Sequence, residues 1–143
     1  MKNQNIKSRR IELITLDTAL EAVKVAISAG RKLGVNISIS ICDAMLTEIA
    51  YAHDDNATAH SAFTSRRKAQ TAASTRKATG WMNSELAITL PMASGNILTN
   101  IPGGMPIHFG KILVGALGIA GGTVEQDAEI ARAVLKGIGA DLV

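Results

Sequence analysis

The chain has 143 residues, 47% of them hydrophobic, a formal net charge of +3 and one cysteine, Cys42. That length suits one domain with a real core, and a lone cysteine excludes an internal disulfide and a cysteine-based zinc site, in keeping with a reducing compartment. Aromatic residues are only 3%, so the basic residues Lys2, Lys7, Arg9 and Arg10, and those between Arg66 and Lys77, lack the interleaved rings that stack bases; this argues against nucleic acid as a partner.

Residues 1–12 read as a basic tail and 13–143 as a single domain. Glu12 and Asp17 interrupt any apolar stretch that would follow a secretory leader. Residues 16–33 are predicted helical, with Thr15 or Asp17 as the cap, Ala19, Leu20, Val23, Ala26 and Ile27 on one face, and Gly34 at the C′ position. Next, Val35, Ile37, Ile39 and Ile41 alternate with Asn36, Ser38, Ser40 and Cys42, which predicts a strand whose second face is polar or covered. Asp43-Ala44-Met45 turns the chain into a partner strand over Leu46–Tyr51.

A helix of small residues is expected from Thr58 to Thr79, with Ala62, Ser65, Ala69, Ala72 and Ala73 on one stripe. Arg76 falls inside the stripe, Arg66 at its margin, and Lys68 roughly opposite. A short strand is placed near Asn96–Asn100. MPIHF and KILVGALGIA flank Gly110 and predict two strands joined by a tight hairpin. Thr123 to Gln126 fits a capping box that opens a last helix, buried through Ile130, Ala131, Val134, Leu135 and Ile138.

This order makes a mixed α and β domain with helices covering an antiparallel sheet. Leu86–Gly110 carries no charge and is long enough to span a bilayer, but Pro91, Pro102 and Pro106 rule out a transmembrane helix; the chain is expected to be soluble and cytoplasmic, with no membrane partner. Between Leu86 and Val124 only Lys111 is charged. So long an uncharged run exceeds what a small monomer can bury, which predicts a homo-oligomer.

Three histidines, His53, His60 and His108, are candidate metal ligands, with Asp54 and Asp55 beside the first; the alternative is that HDDN is a polar turn. The stretch PGGMPIHF leaves three readings open: a tight loop, a backbone cradle for an anion, or a histidine site for a metal or haem. GALGIAGG lacks the G-x-G-x-x-G spacing of a dinucleotide site. No Ser-His-Asp order or carboxylate pair stands out.

NISISICD, KAQTA at Lys68–Ala72, PGGMPI at Pro102–Ile107 and GALGIAGGTVEQDAEIA together closely resemble the GlcG/HbpS family, whose members also occur as the C-terminal domain of PduO-type cobalamin adenosyltransferases. The resemblance covers nearly the whole chain from Leu13. It implies a profilin-like α/β/α fold with a five-stranded antiparallel sheet flanked by helices, dimers that assemble into octamers, and, in several members, haem binding. The chain differs from the family pattern at Ala44-Met45-Leu46, where a glycine is usual, and at His53–Ala57, where R-M-D-G-A is usual.

The expected function is therefore an oligomeric small-ligand-binding accessory protein, with haem or another tetrapyrrole as the candidate cofactor. Gly103 and Gly104 would offer turn amides to a small anionic molecule. Arg66, Lys68 or Arg76 would supply positive charge beside Asp54, and His53 or His108 would ligate iron. The alternative is an isomerase, tautomerase or lyase acting on a small hydroxy or oxo acid, with His108 or Asp54 as base and Arg66 or Arg76 as carboxylate anchor.

Overall fold

Helix α1 (Leu16–Lys32) starts and stops on the expected signals. Thr15 Oγ1 accepts the N–H of Thr18. At the other end Gly34, at φ +71, donates to Arg31 O, and Val35 N–H reaches Gly30 O; this is a Schellman motif, which uses the glycine's left-handed backbone to satisfy the last carbonyls. The computed structural model describes residues 7–143, so the start of the basic tail, Lys2 included, lies outside the described residues.

Strands β1 (Ser38–Asp43) and β2 (Glu48–His53) follow, then α2 (Ser61–Thr75), α3 (Leu86–Ala93), β3 (Gly104–Phe109), β4 (Ile112–Ala120) and α4 (Val124–Gly137). The sheet is antiparallel in the order β2-β1-β4-β3. It has four strands among the described residues, where five were expected. The missing one is the segment at 96–100. Its amides bond to the end of α3 and to a side chain rather than to a strand: Asn96 N–H donates to Pro91 O and Thr99 N–H to Thr71 Oγ1, while the Asn100 side chain accepts from Met82 N–H. The preceding uncharged stretch forms α3, started by Asn83 Oδ1 accepting the N–H of Leu86, and no residue of α3 is buried.

Both faces of the sheet are covered, and alternation along β1 sorts what each one meets. Ile37, Ile39 and Ile41 join Met105, Ile107, Leu117 and Ile119 against α1 and α4, which contribute Ala22, Ala26, Ile130, Val134 and Leu135. The other face carries Ser40 paired with Gly118, and Cys42 paired with Ala116, under the alanines of α2. A Cβ on Gly118 would overlap the carbonyl oxygen of Ser65, and one on Gly104 would overlap that of Lys68. The near absence of side-chain volume lets α2 lie directly on the strands. Burial there pushes the Cys42 thiol up to about 12, which leaves it an inert small hydrophobe.

Two expectations about α2 are corrected. The helix is shorter than 58–79, because Arg76 adopts a left-handed conformation at φ +60 and ends it; Arg76 is exposed and not part of the stripe. Lys68 does not project away from the stripe but is 1% exposed. It follows Ser61 and Ser65 and precedes Ala72 at spacings of three and four, which carries it onto the buried face.

The β3–β4 hairpin turns through Gly110 and Lys111, both with positive φ (57 and 69), the geometry of a type I′ turn. The capping box forms as expected: Thr123 Oγ1 accepts Gln126 N–H, and Gln126 Oε1 accepts Thr123 N–H. Among the described residues no helix is long and apolar enough to cross a membrane.

Candidate functional site

Register places His53 opposite Ser38 and Tyr51 opposite Ser40, so both side chains stand on the α2 side of edge strand β2. Beyond the reach of α2 that face is open, and His53 and Tyr51 are exposed.

His53 is held by a chain of hydroxyls whose polarity can be read outward from its buried end. Ser61 Oγ donates to the carbonyl oxygen of Thr58 at 2.6 Å. Ser61 then has no second proton, so in its 2.8 Å contact with Ser38 the proton comes from Ser38. The remaining contact, between Ser38 Oγ and His53 Nδ1, requires Nδ1–H as donor. In the neutral ring the network therefore assigns the proton to Nδ1 and leaves the lone pair on Nε2, turned away from the anchored nitrogen. Anchoring one ring N–H so that the other nitrogen is presented is how ligating histidines are commonly oriented.

Arg66, on α2, donates to both carboxylate oxygens of Glu48 at 3.3 and 3.2 Å, and Glu48 also accepts from Ser40 at 2.9 Å. Asp54 follows His53 but engages α1, where Arg31 grips its two oxygens at 3.0 and 2.7 Å. That two-pronged hydrogen bond, against the opposing effect of burial, holds the Asp54 carboxyl below the ordinary carboxylate value.

The other sequence candidates lie elsewhere. Lys68 Nζ donates to Ile119 O at 2.7 Å and to Asp127 Oδ2 at 3.0 Å. Burial pulls its ammonium below the ordinary value and Asp127 pushes back. Gly103 and Gly104 wrap this pair: a Cβ on Gly103 would come within 2.9 Å of Lys68 Nζ, while Gly104 N–H donates to Thr79 Oγ1 and its carbonyl accepts Thr79 N–H. A cleft of about 370 Å³ opens above, lined by His60, Ser61, Thr64, Lys68, Gly122 and Asp127; the Lys68 charge on its floor is neutralised by Asp127. Arg76 is at the far end of α2, about 20 Å along its axis from Ser61.

His108 lies on edge strand β3, at a register shift, with its carbonyl accepting Asp141 N–H. Three inter-strand steps separate it from β2, about 14 Å, so His53 and His108 of one chain do not share a metal ion. Among the described residues no group of three or more His, Cys, Asp or Glu could hold one.

Of the candidates, then, His53 and Arg66 share the open sheet edge, Lys68 meets Gly103 and Gly104 in the interior, and Asp54, Arg76 and His108 each stand apart. Sequence reasoning did not single out Ser38, Ser61 or Tyr51, and it read Asp127 as a helix-dipole acid rather than as the partner of Lys68. The polar half of the β1 alternation was the available signal for Ser38; the others are brought in by folding.

Comparison with known proteins bears on the whole chain. The family model described as haem degrading protein HbpS-like matches residues 14–136. An uncharacterized 15.0 kDa protein from the dhaT-dhaS intergenic region of Citrobacter freundii is 31% identical over 137 residues, covering 90% of this chain and 94% of its own. The crystal structure of Klebsiella pneumoniae protein ORFY superposes with a TM-score of 0.88 at 25% identity, over 96% of this chain and 98% of that one. That of a PduOC–haem complex gives 0.84 at 26% identity, over 91% and 98%.

Proposed function

The chain belongs to the HbpS-like family, and from that premise we propose that it is a haem-binding accessory protein in which His53 ligates the iron. The observation that carries this reading is the directed chain from His53 through Ser38 and Ser61 to the Thr58 carbonyl. The residues fit the group: a porphyrin brings four nitrogens of its own, so His53 alone would suffice to hold the iron and no ligand cluster is needed. The haem complex of the structurally similar PduOC supports the same reading.

In this reading Ser38 and Ser61 fix the imidazole and keep Nε2 free of a proton. Tyr51 contributes an exposed ring on the same face, and Arg66, whose side chain is 43% exposed and paired with Glu48, would exchange that carboxylate for a propionate. Bound haem would supply the iron for redox or small-ligand chemistry. The accessory protein is a cytoplasmic homo-oligomer, a dimer or an octamer. What supports assembly is α3, wholly apolar in sequence except for Thr89 yet without a buried residue, with Ile88 65% and Met92 73% exposed.

The test is a haemin titration followed by absorbance. A Soret band is expected with the wild type and lost or shifted in His53→Ala; Ser38→Ala should weaken binding about tenfold or more, and His108→Ala should leave the band in place. A flat titration, or a band indifferent to His53→Ala, overturns the reading.

A further inference from the structure

We propose a second site, at the opposite end of α2, that binds a small organic anion with an apolar body. A cleft of about 760 Å³, the size of a small-molecule site, is bounded by four separate pieces of chain. They are the entering segment at 9–12, the β1–β2 turn at Ala44–Leu46, the end of α2 at Ala73–Arg76 and the start of β4 at Lys111–Leu113.

Its charge is one-sided. Arg9, Arg10, Arg76 and Lys111 line it against a single acid, Glu12. The ion pairs among the described residues are Arg31–Asp54, Arg66–Glu48 and Lys68–Asp127, so no carboxylate engages any of the four. The preceding residues, MKNQNI, include no Asp or Glu. Asp43 and Asp141 are outside the lining and are held by backbone: Asp43 Oδ1 accepts Met45 and Thr47 N–H, and the Asp141 carboxylate accepts Gly110 and Lys111 N–H. Between the cations lies apolar surface, with Met45 62% and Ile112 47% exposed.

The backbone singles out the same place. Leu46, Arg76 and Lys111 have φ of 68, 60 and 69. Among the described residues the other non-glycines with positive φ are Asn56 and Asn96, a type that tolerates this conformation. Among the described residues those of the less tolerant kind all lie in this one cleft, where the β1–β2 turn, the end of α2 and the β3–β4 hairpin converge. The matching ligand is an acid whose carboxylate, sulfonate or phosphate meets the cations while an aromatic or acyl body covers the apolar floor. The lining includes no histidine, so the site is independent of the His53 reading.

The test uses 8-anilinonaphthalene-1-sulfonate as a fluorescent probe, displaced by 1-naphthoate, octanoate or octanol. The two acids should compete, their ranking showing whether the body is aromatic or acyl, and octanol should not. Arg76→Asn with Lys111→Asn removes both charges with a residue that accepts the left-handed backbone, and should weaken the probe about tenfold or more. Arg9→Gln with Arg10→Gln should do likewise without touching a strained position, whereas His53→Ala should bind as the wild type does. Probe affinity unchanged in both charge variants, or octanol competing as well as octanoate, overturns the proposal.

Discussion

Lys68 on α2 and Asp127 on α4 stand 59 residues apart in sequence and meet at 3.0 Å, with side chains only 2% and 4% exposed. The two helices cover opposite faces of the sheet, so this pair, together with the Lys68 bond to Ile119 O, ties the layers at the end of β4. Asp127 Oδ1 meanwhile accepts Gly122 N–H at the turn into α4.

Because both charges are buried, removing one leaves the other uncompensated. Lys68→Met is expected to cost about 3–5 kcal/mol in urea-induced unfolding, and Lys68→Met with Asp127→Asn to recover part of it. A single-variant loss below about 1 kcal/mol, the scale of an exposed pair, would sink this account.

Gly118 lies directly under the backbone of α2. Its Cβ would overlap Ser65 O and lie 2.6 Å from Ala69 N, and both are backbone atoms that cannot rotate away. Gly118→Ala should therefore destabilise by about 1–3 kcal/mol or more. Gly110→Ala, which meets nothing within 4 Å, should cost only the left-handed backbone, about 1–2 kcal/mol. Thermal melts of the two variants make the comparison, and equal losses would contradict it.

Asp54 predicts a signed pH dependence. Its folded value lies below the unfolded one, chiefly through the Arg31 hydrogen bonds. Its contribution is thus fully present above the ordinary carboxylate value of about 4 and is lost as pH falls through the folded value. Melting temperatures of the wild type and Asp54→Asn should differ at pH 7, differ equally down to that range, and converge only in stronger acid. Convergence already near pH 6 would contradict the assignment.

Much of the architecture was legible because its signals are local. Thr15 and Gly34 bracket α1, Thr123 and Gln126 open α4, and Gly110 marks the hairpin; each acts on neighbours within a few residues. The segment around α3 was misread for the same reason. Pro91 argues locally against a helix, whereas Asn83 starts one, and residues 96–100 are held by Thr71, a partner 28 positions away from Thr99.

By itself the sequence determined the order of elements, the apolar face of β1, the small-residue character of α2 and the family, all properties of short stretches read one at a time. Only the tertiary structure decided where the candidate residues stand and what they bond. It turned the glycines at 103 and 104 inward around Lys68, set His53 and His108 on opposite edges of the sheet, and ran three hydroxyl contacts from Thr58 to His53. A hydrogen bond's direction depends on the protons its distant partners have left to give, and a buried charge on whether its counter-ion arrives. Neither is written in the spacing of residues along the chain.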